Sequence, residues 1–256
     1  MSRGSADPVD EYRMPLLEHL RELRARLIVA MWTLLVTVVV SFFFADRIFA
    51  VLAAPMVEAL TTTGRGTMAV SQAMEGFMVQ MKVAGLSALF LSSPVLFWQT
   101  WKFVGPGLYD QEKRAVLPLV GASTFLFLSG ALFCYFAVFE YGFPMFLEMN
   151  GENVQAVLSI DSYLGMVTTL LVAFGVSFQL PVVVYFLARI GLIDHTDMIK
   201  GFRYSVVGIF VVAAILTPPD VVSQALMAAP LMLLYVVGIG VARVFSTKKR
   251  TLPTVA

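Results

Sequence analysis

Long apolar stretches alternate with short polar segments along the whole chain. Charge-free runs cover 27–45, 83–101, 115–139, 162–188, 204–219 and 221–242. A helix needs about 20 apolar residues to cross a hydrocarbon core of about 30 Å. Backbone in lipid must satisfy its own hydrogen bonds, so only helices and closed barrels span a membrane. The residue-by-residue alternation of a barrel strand is absent. The pattern predicts an all-α membrane protein with six transmembrane helices. The last two runs meet at Leu216-Thr-Pro-Pro-Asp220, where Pro218 and Pro219 forbid one continuous helix, so a tight hairpin is expected. The first run exceeds a typical signal-peptide core, has no clean small-residue cleavage site after it and is followed by further spans, so it reads as a retained helix.

The polar segments orient the bundle. Five arginines precede the first run; three Lys or Arg lie between the second and third, three between the fourth and fifth, and four after the sixth. The opposite side carries three, Arg47, Arg65 and Lys82, and its second loop holds only acids, Glu140, Glu148, Glu152 and Asp161. Basic loops stay cytoplasmic, so both termini are expected in the cytoplasm. The division is one membrane domain over 1–256, with a cytoplasmic amphipathic segment at 1–26 and a cytoplasmic tail at 243–256. On the outer side, Asp46–Lys82 is long enough for short surface helices, with an apolar-periodic piece from Met74 to Met81, and Gly142–Asp161 forms a second cap. Pro94, Pro118, Pro181 and Pro230 fall inside or at the ends of spans. Such prolines kink helices, which favours a concave bundle over a tight cylinder.

Composition agrees with this pattern: 59% of residues are hydrophobic, 14% are charged and the mean hydropathy is +0.82, against about 25% charged in soluble domains. A net charge of +1 gives no reason to expect nucleic-acid binding. One cysteine, Cys134, excludes an internal disulfide, and no metal-ligand spacing or cofactor motif is present. No phosphate loop, HExxH or GxSxG element occurs, which argues against an enzyme. A proton relay or ion path normally shows charge inside a span. Here the interior polar groups are Gln99, Gln179 and Gln224, each open to two readings: a packing hydrogen bond between helices or a functional contact. Asp220 either caps the sixth helix or docks a partner.

The cytoplasmic face is chemically richer. Leu16, Leu20, Leu23 and Leu27 make one apolar stripe, and Glu22 and Arg26 form an i,i+4 pair. Glu18 and Glu22 are like charges four apart, mildly unfavourable alone. The segment Lys102–Arg114 adds Asp110 and Glu112. These are either solvated surface charges or two acidic knobs on a basic ground, poised for an outside cation.

Four stretches resemble the TatC family, the core membrane subunit of the twin-arginine protein translocase: His19–Arg26 (HLRELRAR), Phe97–Arg114 (FWQTWKFVGPGLYDQEKR), Phe174–Val183 (FGVSFQLPVV) and Leu216–Gln224 (LTPPDVVSQ). They occur in the family's order along essentially the whole chain. The resemblance implies a multi-pass protein of the bacterial inner membrane that binds twin-arginine signal peptides of folded cargo. It implies Glu22 and Glu112 as acceptors for the two arginines, with Arg24, Phe103, Pro106 and Tyr109 as the framework around them. It implies docking of the single-span partners TatA and TatB near Gln179, Thr217, Asp220 and Gln224, self-association as a further possibility, and energy from the proton-motive force. Gln179 stands where the family commonly has an acid, so a polar contact is expected there rather than proton transfer. The competing reading is a small-solute secondary transporter, favoured by kinked helices and interior glutamines and opposed by the missing inverted repeat and missing buried charge.

Overall fold

The computed structural model describes residues 8–64, 66–70, 73–104, 116–149, 156–216 and 221–246. Six helical stretches among them are long and apolar enough to cross a membrane. Helix α1 (Pro8–Phe42) joins the amphipathic segment and the first apolar run into one rod. Helix α2 (Ala45–Thr63) follows after a short turn. Its C-terminus is closed by Gly64, whose N–H bonds Leu60 O at 2.9 Å and whose φ of 65° favours glycine. The other spans are α3 (Glu75–Val104), α4 (Val116–Phe133) continuing through a π-turn (Cys134–Val138) into α5 (Phe139–Met149), α6 (Ile160–Ser177) with α7 (Leu180–Arg189), α8 (His195–Leu216) and α9 (Val221–Phe245).

Several helices outrun their charge-free stretches. The piece expected as a separate surface helix at Met74–Met81 is the first two turns of α3. Helix α8 begins at His195, nine residues before the fifth run, and at 22 residues it is about 33 Å long. The fifth charge-free run, 16 residues from 204 to 219, thus belongs to a full-length helix whose first turns carry Asp197, Lys200 and Arg203. The fourth run is two helices, since α6 ends at Ser177 and α7 starts at Leu180. Pro181 stands at the start of α7, where a missing N–H costs least.

The fold is all-α in class, as the pattern predicts, and two short strands accompany the helices. Strand β1 (Gly66–Ala69) pairs in parallel with β2 (Ala156–Ser159), Gly66 opposite Ala156 and Ala69 opposite Ser159. The pair joins the connection after α2 to the one before α6. Near it, buried Glu75 accepts the Ser159 hydroxyl at 2.7 Å and the Asp161 N–H at 2.8 Å. Lys82 Nζ reaches Asp161 Oδ1 at 2.6 Å, and Gln80 donates to Asp46 at 3.0 Å.

The largest core lies between α2, α3, the π-turn, α5 and α6. Phe139 stacks on Phe143 at 4.8 Å between centroids, and Phe143 meets Tyr163 at 5.5 Å. The Tyr163 hydroxyl, buried with its ring, donates to Leu52 O at 2.7 Å and pins α2 onto the bundle. The π-turn residue Tyr135 does the same to Val51 O at 2.7 Å. Helices α4 and α6 cross where Gly130 faces the Phe174 backbone and Gly175 faces the Phe127 ring. Small residues let membrane helices approach this closely. Helix α1 packs mainly along α3, with Thr37 Oγ1 3.4 Å from Ala88 O, and leaves Met31, Leu35 and Val39 exposed as a lipid-facing stripe.

Candidate functional site

The N-terminal motif meets the end of α3 at one end of the bundle. The His19 ring lies on the Phe103 ring, 4.4 Å between centroids and 15° from parallel. One turn along α1 from His19, the Glu22 carboxylate accepts from Arg26, with Nε at 3.1 Å and Nη2 on the same oxygen. His19 Nδ1 is 3.8 Å from the other oxygen of Glu22. Lys102 reaches over the Trp98 face at 5.8 Å. Glu22 is about one-third exposed, so its carboxylate remains open to a ligand approaching from the polar side. Two of the expected residues, Glu22 and Phe103, are thus neighbours, joined through His19. Arg24 is exposed; the cation on Glu22 is Arg26, as the i,i+4 spacing indicated. His19 was in the motif but not among the expected site residues. The histidine three residues before an acid was the available signal, but its stacking partner lies 84 positions away.

Pro106, Tyr109 and Glu112, like Thr217 and Asp220, lie outside the described residues. Gln224 donates from Nε2 to Phe210 O at 2.9 Å, joining α9 to α8. Gln179 occupies the break between α6 and α7 and donates to Ser123 O on α4 at 3.0 Å. Ser123 Oγ in turn accepts from Trp101 Nε1 at 2.8 Å, inside a small core with Leu119, Val120 and Val182. These bonds tie α3, α4 and the start of α7 together, and a backbone acceptor 56 positions from the glutamine left no trace in the sequence.

By chain alternation the α7–α8 connection lies at the same end as Glu22. There Asp194 caps α8: its N–H bonds Asp197 Oδ2 at 3.3 Å, and its carboxylate takes His195 Nδ1 at 2.8 Å and the Thr196 hydroxyl at 2.9 Å. These bonds, the one from His195 foremost, hold the Asp194 carboxyl well below the usual carboxylate range. No cluster of His, Cys, Asp and Glu suited to a metal occurs among the described residues.

The arrangement sets a carboxylate and an aromatic stack side by side at one end of the bundle. The family model described as Sec-independent protein translocase protein (TatC) matches residues 18–230. A TatC protein of Desulforapulum autotrophicum is 43% identical over 241 residues, covering 94% of this chain and 88% of its own. One from Helicobacter pylori is 41% identical over 225 residues, covering 88% and 87%. A crystal structure of the twin-arginine translocase receptor TatC in the detergent DDM superposes with a TM-score of 0.79 at 36% identity, covering 88% of this chain and 99% of that one. A second crystal structure of that receptor gives 0.74 at 37% identity, covering 88% and 97%. The chain therefore belongs to the TatC family, the multi-pass membrane component of the bacterial Sec-independent, twin-arginine protein translocase.

Proposed function

We propose that this chain is the receptor that takes the paired arginines of a signal peptide at its cytoplasmic face. The observation that carries the reading is the Glu22 carboxylate, which already holds the guanidinium of Arg26 beside the His19–Phe103 stack. A group that binds one guanidinium in this setting suits another. Guanidinium donors match a carboxylate in fork geometry, and each charge-assisted bond contributes about 1.5–3 kcal/mol. The second arginine goes to Glu112, with Arg24, Pro106 and Tyr109 shaping the approach. Arg26 acts as a tethered stand-in, so an incoming arginine must share or displace it. Binding through these bonds is modest, and the apolar part of the signal adds affinity along the bundle. Both termini face the cytoplasm, TatA and TatB dock near Gln179, Thr217, Asp220 and Gln224, and the proton-motive force drives transport.

The test is photo-crosslinking of a labelled twin-arginine signal to membranes carrying the full chain. Glu112→Ala should abolish crosslinking. Glu22→Gln, nearly isosteric, should weaken it about tenfold or more, the value of one charge-assisted bond. Undiminished crosslinking in both variants would remove the carboxylates from the site.

A further inference from the structure

We propose that the chain carries a site for one anionic phospholipid in the leaflet at the end of the bundle where α1 meets α2, with Arg47 on the lipid phosphate and the acyl chains in a groove beneath α2. A cavity of about 1070 Å³, open on one side, lies between α1, α3 and the α4 stretch, with α2 as its roof. Its walls are almost wholly apolar, from Phe90 and Leu91 on α3 to Leu128 and Leu132 on α4. Leu91 and Leu132 are 58% and 56% exposed, which is far more than a core residue tolerates unless lipid covers it.

The rim differs from the walls. Arg47 stands in the first turn of α2, exposed, and lines the groove. Among the described residues no carboxylate forms an ion pair with it. Its neighbour Asp46 turns to Gln80 instead, and the Tyr135 hydroxyl, also lining the groove, is taken by Val51 O. Among the described residues that line the groove, the guanidinium is the one charged group, and a planar fork of this kind suits a phosphate.

Depth decides between a lipid and a helix as occupant. The groove runs from Leu86 to Pro94 on α3 and from Leu128 on α4 to Phe136 in the π-turn. Each stretch rises about 12 Å at 1.5 Å per residue. One leaflet offers about 15 Å of hydrocarbon, half of the full core, whereas a spanning helix needs about 30 Å of wall. A groove one leaflet deep with a cation at its mouth matches the shape and charge of a single phospholipid.

The experiment uses the full chain purified in a neutral detergent and delipidated, with binding read by native mass spectrometry and by the lipid-dependent rise in melting temperature. Dioleoyl phosphatidylglycerol should bind saturably with one high-affinity copy, and dioleoyl phosphatidylcholine and free glycerol phosphate should bind more weakly. Arg47→Gln should weaken the phosphatidylglycerol site about tenfold or more, as loss of a charge-assisted bond implies. Leu132→Trp, which adds bulk at an exposed residue lining the groove, should abolish the retained copy while the variant still folds, as helix content by circular dichroism would verify. Affinity unchanged in both variants would overturn the site. Phosphatidylcholine bound as tightly as phosphatidylglycerol would overturn the role of Arg47, and an apolar single-span peptide displacing the lipid from wild type but not from Leu132→Trp would make the groove a helix site instead.

Discussion

Adding one methyl group at the α4–α6 crossing should separate two helices that now touch. In Gly130→Ala the new Cβ would lie 2.6 Å from Phe174 O and 2.9 Å from the Phe178 ring, against ordinary carbon contacts of about 3.5–4.0 Å. The nearer obstacle is backbone, which cannot rotate aside, so α4 must retreat by on the order of 1 Å. A gap of that size forfeits about a quarter to a half of each dispersion contact along the seam, and overpacking of this kind costs about 1–3 kcal/mol. Replacing glycine within a helix returns about 0.5–1 kcal/mol. The net loss is about 0–2.5 kcal/mol, which lowers the melting temperature by up to about 10 °C for a chain of this size. Gly121→Ala, on the same helix with open space around its Cβ, supplies the control and should melt at or above wild type. Gly175→Ala should fall between them, because the Phe127 ring that it meets at 2.7 Å can shift. The assay is thermal unfolding of the purified variants in one detergent. If Gly130→Ala melted no lower than Gly121→Ala, the close approach of α4 and α6 would be wrong.

Three further outcomes follow from local geometry. Tyr163→Phe removes the buried hydroxyl from Leu52 O at a cost of about 0.5–1.5 kcal/mol, so hydrogen exchange in α2 should quicken while α8 is unaffected. Asp194 has a carboxyl pKa depressed by folding; its stabilising effect is full above the unfolded value of about 3.9 and is lost as pH falls through the folded one. Asp194→Asn should therefore melt below wild type at pH 7 and converge with it in acid, and parallel curves at all pH values would count against the cap. With Cys134 replaced by alanine, a cysteine at exposed Thr62 should react with an impermeant thiol reagent outside intact cells, and one at Thr196 only after the membrane is breached; the reverse order would invert the proposed orientation.

The helices were legible because charge is expensive in lipid, so the gaps between charges mark them. Their ends were not, because helix α8 runs on through Lys200 and Arg203 once it leaves the apolar zone, and a charge count stops there. The β1–β2 pair left no signal: four-residue strands carry too little alternation, and their partner is half a bundle away. Glu75 reads as a loop acid in the sequence, and only the arrival of Ser159 and Asp161 makes it a buried anchor. At the candidate site the local pair Glu22–Arg26 was readable from i,i+4 spacing. The acceptor of Gln179 was not, since every residue offers a backbone carbonyl and only the fold selects Ser123.

The parallel strand pair also imposes an order on biogenesis. Gly66 finds its partner at Ala156, and ribosomes add about 5–20 residues per second, so the first strand waits roughly 5–18 s for the second to be made. During that interval α3 and the α4–α5 stretch must already have entered the bilayer, because both lie between the strands. The ladder and the Glu75 anchor therefore close only after the fourth apolar segment begins to arrive. Pairing across the two connections acts as a late latch, and a chain arrested before Ala156 would leave β1 without its partner strand.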